Sequence, residues 1–559
     1  MRHWRTKMLS RRDALTIGLA ASGSALLGLK SLHSKGLAPS PLTTPFVEPL
    51  PIAAIARPVT AFATQADPTT VNVDGSTAFH VHGPRNVPAG AEYYWVEERE
   101  ALHSFHPQLP PNPVWGYDGT VPGPTFIARS GTASLVRFVN SLPLATPLNI
   151  GAPVTAVHRH SGFQAPEDDG YPLDTFATGQ SRDFLYPNVP EEGLQQNEPS
   201  TLWYHDHAID TTAENVYRGL SGFFLNFDAR DSLAGEEDTS PLALKLPGRM
   251  RTSASGLPIR EYDIPIVIQD RKFDQAGFLS YDSFDHNGFL GDKFLANGKI
   301  QPFLKVDRRK YRFRFLNGSN ARVYELFLGN NKPFDFAIGT DALLLPNPVA
   351  NLPSFRIASA ERVEVVIDFS KYAAGTEIIL ENRLEQVDGR KPGNLVQPGT
   401  PIVKFIVGSN TPPDPSRVPE SLRPVFLGPA QLVPLVKVRR KFELVRSEGA
   451  WQINNLFFDE NRIDARPKLG DPEIWTLSSG GGWLHPMHIH LSEFFILSRN
   501  GKPPPVLERG RKDVFRVGAG EGSIDILVRF TGYTGRYVFH CHNIEHEDMR
   551  MMAQFEVGP

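Results

Sequence analysis

Polar and apolar residues alternate along several short stretches of this chain, as expected of strands with one buried face. The clearest example is KYRFRFLN, residues 310–317, in which charged and apolar side chains follow each other at period two and predict a half-buried strand. The 49 prolines and 47 glycines disfavour long helices and favour short strands joined by turns. The pattern therefore predicts an all-β protein.

A weak internal repeat divides the chain into three parts. Its copies are GYDGTVPGPTFIARSGTASLVRFVNSL (116–142), FLANGKIQPFLKVDRRKYRFRFLNGS (294–319) and, more loosely, WQINNLFFDENRIDARPKLGDPEIWTLSSG (451–480). Each copy passes from an aromatic or Asn-Gly turn into an alternating strand, a tight turn and a second alternating strand. The repeat predicts three β-sandwich domains, which we place at residues 60–235, 236–410 and 411–559.

The N-terminus has the features of an export signal. Arg11 and Arg12 follow a basic stretch and precede a weakly apolar run, residues 14–29. This combination is typical of a twin-arginine signal, with signal and leader over residues 1–40, and predicts a periplasmic or secreted protein. An ordinary secretory signal or a membrane anchor is the alternative, although the run is short and polar for a bilayer span.

Charge and cysteine content narrow the classes of function. The net charge of −3 and the absence of a basic block argue against a nucleic-acid partner, and no other segment suggests a membrane span. Cys541 is the only cysteine, so no internal disulfide can form in a chain predicted to be exported. Its thiol is therefore either a buried core side chain or part of a reactive or metal-binding site.

Ten of the 17 histidines fall into four short clusters. The clusters are His158-Arg159-His160, His205-Asp206-His207, His485-Pro486-Met487-His488-Ile489-His490, and His540-Cys541-His542 followed by His546. Alternate residues of a strand share a face at a spacing of about 6.6–7 Å, so each His-x-His pair points two imidazoles the same way. This arrangement suits the bracketing of metal ions.

The position of Cys541 indicates a second type of metal site. If its segment is a strand, the thiol points away from His540 and His542 and can bind one metal while these histidines bind a centre behind it. A thiolate with two imidazoles and a weak thioether selects copper in a trigonal electron-transfer site. His546 and Met551 follow in the sequence and are available as further ligands.

The remaining histidines are interpreted as structural or surface residues. His80 and His82 form another His-x-His pair, but they lie far from the other clusters and have no acidic companion. His103, His106 and His286 stand alone. We expect none of them to bind metal.

The four clusters resemble those of the three-domain multicopper oxidases. WYHDHAIDTTAENVYRGLSGFF, HPMHIHL and HCHNIEHEDMRMM are most similar to segments of bilirubin oxidases and bacterial spore-coat-type laccases, and the resemblance extends over nearly the whole chain after the signal. It implies three cupredoxin-like Greek-key β-sandwich domains. The middle domain would be a spacer without copper, and the outer two would share a trinuclear copper cluster at their interface.

The resemblance also implies four copper ions and a ligand set. The type 1 copper would take His485, Cys541 and His546, with Met551 as a weak axial ligand. The type 2 copper would take His158 and His488, one type 3 copper His160, His205 and His542, and the other His207, His490 and His540.

The implied reaction couples four one-electron oxidations at the type 1 copper to the reduction of O₂ to two waters. Phenols, aromatic amines, bilirubin or metal ions would be the donors, and we expect a monomer. Asp169 and Glu547 match acidic positions that supply protons in this family, although each could be a surface or turn carboxylate. Glu547 can face the cluster if its segment is extended. Trp483 would lie near the type 1 copper, or it is a core aromatic residue.

The sequence supports three other functions less well. A metallo-oxidase acting on Cu(I) or Fe(II) needs a metal-donor site, and only seven methionines occur, with their one cluster at the axial position. A non-catalytic exported scaffold protein would lack the ligands. A copper nitrite reductase would lack the type 3 pair at His540 and His542.

The first histidine cluster departs from the family pattern. Arg159 stands where the family usually has an apolar or aromatic residue, and Ser161 stands where it has glycine. Neither residue is a ligand. We expect them to alter loop geometry and the solvent channel beside the type 2 copper.

Overall fold

The computed structural model describes residues 37–63, 79–80, 86–145, 148–190, 200–425, 427–447 and 449–559. Nearly all of the predicted export signal, and His82, lie outside the described residues. Within those residues, no helix has the length and apolar character that a bilayer span requires.

The first part of the chain forms two four-stranded sheets. Its strands are β1 Glu92–His103, β2 Asn112–Tyr117, β3 Gly123–Arg129, β4 Ser134–Asn140, β5 Val154–Thr155, β6 Val157–His160, β7 Phe176–Ala177, β8 Ser181–Tyr186, β9 Thr201–Asp206 and β10 Ser221–Phe227. The sheet orders are β2-β1-β4-β8 and β3-β10-β9-β6, with β5-β7 as a small ribbon. An apolar cluster that includes Trp115, Phe138 and Tyr204 fills the space between the two sheets.

The middle part forms a seven-stranded and a five-stranded sheet. Its strands are β11 Arg249–Thr252, β12 Pro258–Glu261, β13 Asp263–Arg271, β14 Lys293–Ala296, β15 Lys299–Ile300, β16 Phe303–Val306, β17 Lys310–Asn317, β18 Tyr324–Leu328, β19 Phe334–Thr340, β20 Leu343–Leu352, β21 Phe355–Ile357, β22 Arg362–Asp368, β23 Glu377–Leu384 and β24 Leu395–Val407. The orders are β15-β14-β13-β17-β22-β19-β20 and β16-β24-β23-β18-β21, with β11-β12 as a hairpin. Their shared core includes Phe313, Phe315 and Phe405.

The last part forms a six-stranded and a four-stranded sheet. Its strands are β25 Val438–Ser447, β26 Ala450–Ile453, β27 Pro472–Ser479, β28 Leu484–Ile489, β29 Phe494–Arg499, β30 Arg511–Lys512, β31 Val514–Gly518, β32 Ile524–Arg529, β33 Gly535–Cys541 and β34 Met552–Val557. The orders are β26-β25-β27-β32-β29-β30 and β31-β28-β33-β34. Trp475, Phe539 and Phe555 belong to the core between them.

Helices are short in the described part of the chain. The α-helices are Thr212–Arg218, Pro429–Leu432 and Ile544–Asp548, and the 3₁₀ turns are Pro166–Asp168, Gly235–Glu237, Gly329–Asn331, Phe369–Lys371, Val433–Leu435 and Val506–Glu508. The all-β prediction is therefore confirmed. The domain boundaries at residues 235 and 410 stay a prediction.

The predicted half-buried strand KYRFRFLN is β17, but both of its faces are buried. Tyr311, Phe313 and Phe315 point into the middle core. Arg312 and Arg314 on the other face are also buried, because they form ion pairs rather than contacting water. The prediction of a solvent-facing side is wrong, since alternation alone cannot distinguish a hydrated charge from a paired one.

These arginines connect the middle part of the chain to the first part. The guanidinium of Arg314 donates to both oxygens of Asp263 at 2.7 and 2.8 Å, and that of Arg312 donates to Asp231 at 2.8 and 2.9 Å. Burial alone would raise the pKa of Asp263, but the facing Arg314 and Arg260 hold it well below its usual value. Asp263 is therefore a buried anion whose low pKa depends on the neighbouring arginines.

We predict that Asp263→Asn lowers the free energy of unfolding by about 3–5 kcal/mol, because it leaves buried guanidinium groups without their counter-charge. Urea unfolding followed by circular dichroism measures the loss. The control is Asp335→Asn, which breaks the pair with the 58 % exposed Lys371 and should cost less than about 1 kcal/mol. Equal losses in the two variants would contradict the role of the buried network.

Candidate metal centre

Two pairs of neighbouring strands carry the histidine clusters. β6 pairs antiparallel with β9, which places His158 directly opposite His205. β28 pairs antiparallel with β33, which places His488 opposite His540 and Met487 opposite Cys541. Because side chains in register on neighbouring strands share a face, each strand pair presents these opposed histidines on one side, whereas His485 of β28 lies on the face of Cys541.

The two strand pairs face each other, so the histidines of the first and last parts of the chain meet. The ligand atoms of each of the following groups lie within 4.8 Å of one another: His158, His160 and His488; His160, His205 and His542; His207, His490 and His540; His485, Cys541 and His546; and His158, Asp169 and His490. All members are buried. The structure thus brings together every sequence-predicted histidine, with eight in one cluster and two beside the thiol.

The imidazoles of the eight-histidine cluster are oriented for metal binding. The Nδ1–H groups of His488 and His205 donate outward to the backbone oxygens of Asp513 and Asp206, each at 2.8 Å, and that of His158 donates to the backbone oxygen of Asp169. The opposite Nε2 atoms of these three rings are buried without a hydrogen-bond partner. Each ring therefore turns a lone pair into the cluster, as a metal ligand does.

His207, His490 and His540 show the same pattern more clearly. The Nε2 of His490 lies 3.2 Å from the Nε2 atoms of both His207 and His540. Their Nδ1 atoms are all turned outward toward carboxylates, at 2.6 Å from Asp169 for His490 and at 2.9 and 3.0 Å from Glu547 for the other two. With these tautomers three lone pairs face one another, and a cation between them would satisfy all three.

The electrostatics of the cluster agree with this. Burial lowers the pKa values of His158, His488, His490 and His542 well below their usual value, and that of His205 to about 3. These rings are neutral at physiological pH and keep the lone pair that a metal ion needs. Histidine nitrogens alone suit Cu, Zn, Ni or Fe, so the thiol site decides which metal fits.

The thiol site lies on the other side of β33. The Sγ of Cys541 is 3.5 Å from the Nδ1 of His485 and 3.6 Å from that of His546, and these two nitrogens are 3.2 Å apart. Burial raises the pKa of the thiol, so a thiolate here needs a cation beside it. Met551 is fully buried in the same apolar cluster, and its backbone bonds to Cys541 and His546. One thiolate and two imidazoles are the donor set of an electron-transfer copper site.

Asp169 and Glu547 both touch the cluster, Asp169 as a hydrogen-bond acceptor and Glu547 at ion-pair distance from His207 and His540. Burial raises the pKa of Asp169, whose carboxylate accepts from the Nδ1–H of His490. Burial would also raise the pKa of Glu547, but the His540 and His207 rings hold it well below its usual value. Both residues orient ligands. Their predicted role in proton supply stays a prediction.

The predicted reason for the orientation of Glu547 is wrong. Residues 544–548 are not extended but form the helix Ile544–Asp548. Successive residues of a helix point in directions about 100° apart. His546 therefore faces the thiol site while Glu547 faces the eight-histidine cluster.

Asp513 and Arg362 support the cluster, and sequence reasoning missed both. The carboxylate of Asp513 accepts from the Nε2–H of His160 at 3.1 Å, and Arg362 donates to it at 2.6 and 2.5 Å. Arg362 belongs to the middle part of the chain, which was predicted to be only a spacer. No motif surrounds either residue, so only the fold reveals them.

Arg159 and Ser161, the two departures in the first cluster, take part in this outer layer. Arg159 donates to the side-chain oxygen of Gln164 at 2.6 and 3.0 Å, and Gln164 donates to Asp169 at 3.0 Å. Ser161 donates to Asp513 with its hydroxyl. Ser161 has a φ of 68°, in the left-handed region that favours glycine, and the expected effect of the two departures on loop geometry stays a prediction.

A tryptophan pair borders the thiol site. The ring of Trp451 lies 4.0 Å from that of His546 and 4.6 Å from that of Trp483, whereas Trp483 is 6.0 Å from His546. The nearer indole is therefore Trp451, which the sequence did not single out. His546 donates through Nε2 to the backbone oxygen of Asn287 at 3.1 Å. This contact gives the middle part of the chain a second role at the site.

The other histidines have structural contacts. His80 bonds to Asp174 at 2.6 Å, so the expectation that it has no acidic companion is wrong. His103 bonds to the backbone oxygen of Gly298 at 2.7 Å and His106 to that of Thr44 at 2.9 Å. The backbone oxygen of His286 accepts from Trp451. His82 lies outside the described residues.

Comparisons with known proteins give a consistent result. Sequence profiles described as Multicopper oxidase match residues 103–229 and 434–559. A laccase of Bacillus stratosphericus is 34% identical over 524 residues, which cover 83% of this chain and 94% of the laccase. A bilirubin oxidase of Albifimbria verrucaria is 36% identical over 477 residues, which cover 83% of this chain and 76% of that protein.

Solved structures agree with these sequence matches. A crystal structure of laccase from Pediococcus acidilactici superposes with a TM-score of 0.71 at 27% identity, covering 94% of this chain and 95% of that one. A variant of the McoA multicopper oxidase from Aquifex aeolicus superposes with a TM-score of 0.69 at 26% identity, covering 85% of this chain and 99% of that one.

We predict that Ser161→Ala and Ser161→Gly have different effects on the stability of the copper-free protein. Both remove the hydrogen bond to Asp513, at a cost of about 1–2 kcal/mol. Glycine also relieves the left-handed backbone, which offsets about 1 kcal/mol of that cost. Urea unfolding measures both. Equal stability of the two variants would show that the backbone at this position is not strained.

Proposed function

This chain belongs to the multicopper oxidase family, and we propose that its four histidine clusters bind four copper ions per chain. It is a laccase-like oxidoreductase with cupredoxin-like domains that uses O₂ as the electron acceptor. The proposed copper sites rest on one observation. Ring lone pairs converge at two places, which lie on opposite sides of β33. One place has a thiol and two imidazoles, and the other has eight imidazoles.

The proposed ligand sets follow the groups in space. His485, Cys541 and His546, with Met551, would hold the type 1 copper. His158 and His488 would hold type 2, and the triads His160, His205, His542 and His207, His490, His540 would hold the type 3 pair. Bound copper would supply one-electron oxidation at the thiolate site and O₂ reduction at the eight-histidine cluster.

The reaction balances with phenolic donors. Each donor loses one electron and its phenolic proton, and four donors supply the four electrons that reduce one O₂. The O₂ takes up four protons and leaves as two waters. Cys541 connects the two sites through the backbone to His540 and His542, its direct neighbours in the sequence.

The chain's own carboxylates keep the cluster in its binding form. Glu547 lies at ion-pair distance from the Nδ1 atoms of two rings and Asp169 accepts from a third, so the Nε2 lone pairs stay directed inward. Asp513 does the same for His160. These contacts place anions around the cluster, next to where protons are consumed.

A metallo-oxidase acting on Cu(I) or Fe(II) is the second candidate, and a multicopper oxidase of Campylobacter jejuni described as a metallo-oxidase shares the fold at 20% identity. Such an activity needs a separate site for the donor metal. Among the described residues, the groups of three or more His, Cys, Asp or Glu close enough to share an ion are all buried in the centre itself. This favours organic donors.

We also propose that the protein is exported through the twin-arginine pathway to the periplasm or the medium, and that it acts as a monomer. Arg11 and Arg12 support the first proposal. A single chain contains all the proposed ligands, which supports the second.

Copper loading tests the function directly. We expect about four copper ions per chain, an intense blue thiolate-to-copper absorption band, a near-ultraviolet shoulder from a coupled pair, and O₂ consumption with phenols. Atomic absorption, visible spectroscopy and an oxygen electrode measure these. A copper-saturated but colourless protein, or one with a single copper, would contradict the proposal.

In the same experiment, Cys541→Ser should lose the blue band and steady-state turnover, while the eight-histidine cluster keeps its copper. The reason is that the thiolate is both ligand and electron conduit. Turnover retained in this variant would show that electrons reach the cluster by another route.

We predict that Glu547→Gln keeps the blue band and its fast reduction by donors but slows reoxidation by O₂ by about 10²-fold. The amide has one accepting oxygen and carries no ionisable proton, so it can neither accept from both rings nor relay a proton. Stopped-flow measurement of the two half-reactions separates these effects. Slowing of the reductive half-reaction alone would place Glu547 on the donor side instead.

The matched control is Glu545→Gln on the same helix. Glu545 is also buried, but it accepts from Asn320 at 2.7 Å and Tyr281 at 2.8 Å rather than from the cluster. Burial raises its pKa to about 7, so an amide resembles its neutral form. Reoxidation in this variant should stay close to that of the unchanged protein.

A further inference from the structure

Two exposed arginines flank the tryptophan pair beside the thiol site. The guanidinium carbon of Arg446 lies 5.0 Å from the ring centre of Trp451 and 5.2 Å from that of Trp483. The guanidinium carbon of Arg390 lies 4.9 Å from the ring centre of Trp483. Both cations are thus held over indole faces, at cation–π distances.

The fold fixes both arginines at this position. Arg446 lies on β25 directly opposite Trp451 on β26, and residues opposite each other on neighbouring strands share a face. Arg390 belongs to the loop between β23 and β24, and its backbone oxygen accepts from the backbone N–H of Leu484 at 2.9 Å, directly before His485. The middle and last parts of the chain therefore supply one arginine each.

Within the part of the chain that the structure describes, which excludes Glu448, no carboxylate lies within ion-pair distance of the guanidinium groups of Arg390 and Arg446. Most of the other described arginines form ion pairs. Asp388 and Asp285 on the adjoining loops instead accept from the backbone N–H groups of Arg390 and Asn287. Two unpaired cations 5 Å from the indoles next to His546 form a site suited to an anion.

Resting on the proposed laccase-like function, we propose that Arg390 and Arg446 form an anion-binding pair that selects aromatic donors bearing a carboxylate or sulfonate. The acidic group of such a donor contacts one or both exposed guanidinium groups, and its ring lies on the surface above the buried Trp451 and Trp483. Arg forms planar, bidentate contacts with carboxylates, which also orients the ring. The pair is therefore a specificity determinant rather than part of the electron path.

The test compares 4-hydroxy-3,5-dimethoxybenzoate with its methyl ester, which have the same phenol but differ in charge. The copper-loaded protein should show a lower KM for the acid than for the ester. Arg390→Gln and Arg446→Gln should each raise the KM for the acid by about fivefold, and the double variant by about tenfold or more, with kcat little changed. The KM for the ester should change by less than about twofold. Added salt should raise the KM for the acid only.

A matched control and a binding measurement complete the test. Arg439→Gln removes an exposed arginine from the same strand, seven residues or about 23 Å from Arg446, and should leave both KM values unchanged. Calorimetric titration with 3,4,5-trimethoxybenzoate, which has no phenol to oxidise, should show binding that weakens in the double variant. The blue band should be unaltered in every variant.

The outcomes separate this proposal from the proposed function. Equal KM changes for acid and ester, or no change for the acid in the double variant, would overturn the anion-binding pair while the oxidase function stands. Failure of the copper-loaded protein to oxidise either donor would overturn the function, and the titration with the inert anion would still decide whether the arginines bind it.

Discussion

The centre of this protein depends on one arrangement, in which buried imidazoles keep an N–H outward and a lone pair inward. The Nε2 atom of His490 lies 3.2 Å from those of His207 and His540, an arrangement that a cation between the three rings would stabilise. The outward N–H groups are satisfied by backbone oxygens and by carboxylates, which fixes the tautomer of each ring. Metal binding and folding are therefore coupled at this interface, because a bound cation satisfies buried lone pairs that the protein itself does not satisfy.

That arrangement explains the division of the chain. Each of the two histidine-bearing strand pairs can direct its rings to one side only, so a closed cluster needs two such pairs facing each other. The first and last parts provide them. The middle part fixes the distance between the two, and it does so with polar contacts as well as bulk, since Arg362 reaches Asp513 and Asn287 reaches His546. A middle part that only separated the others would not need such contacts.

The sequence predicted the architecture and the histidines because strand alternation and His-x-His spacing are local properties. It could not predict Asp513, Arg362 or Trp451, since these meet the site only through long-range packing and belong to no motif. Glu547 shows an intermediate case. Its position beside His546 correctly predicted that it faces the eight-histidine cluster, but the local conformation is a helix and not a strand. KYRFRFLN shows the reverse, because its strand was predicted correctly and the burial of its arginines was not.

The two metal sites differ most in the charge of their surroundings. Asp169, Glu547 and Asp513 place three carboxylates against the rings of the eight-histidine cluster, whereas His546 at the thiol site bonds to a neutral backbone oxygen. Outer anions stabilise higher positive charge on bound metal, and a neutral, apolar surrounding favours the reduced ion. Taken alone, this difference retains electrons at the thiol site, so their transfer past Cys541 to the cluster has to be driven by the reduction of O₂ there. The carboxylates on the cluster side of β33 therefore act by orienting its rings, and the oxidising power of O₂ sets the direction of the reaction.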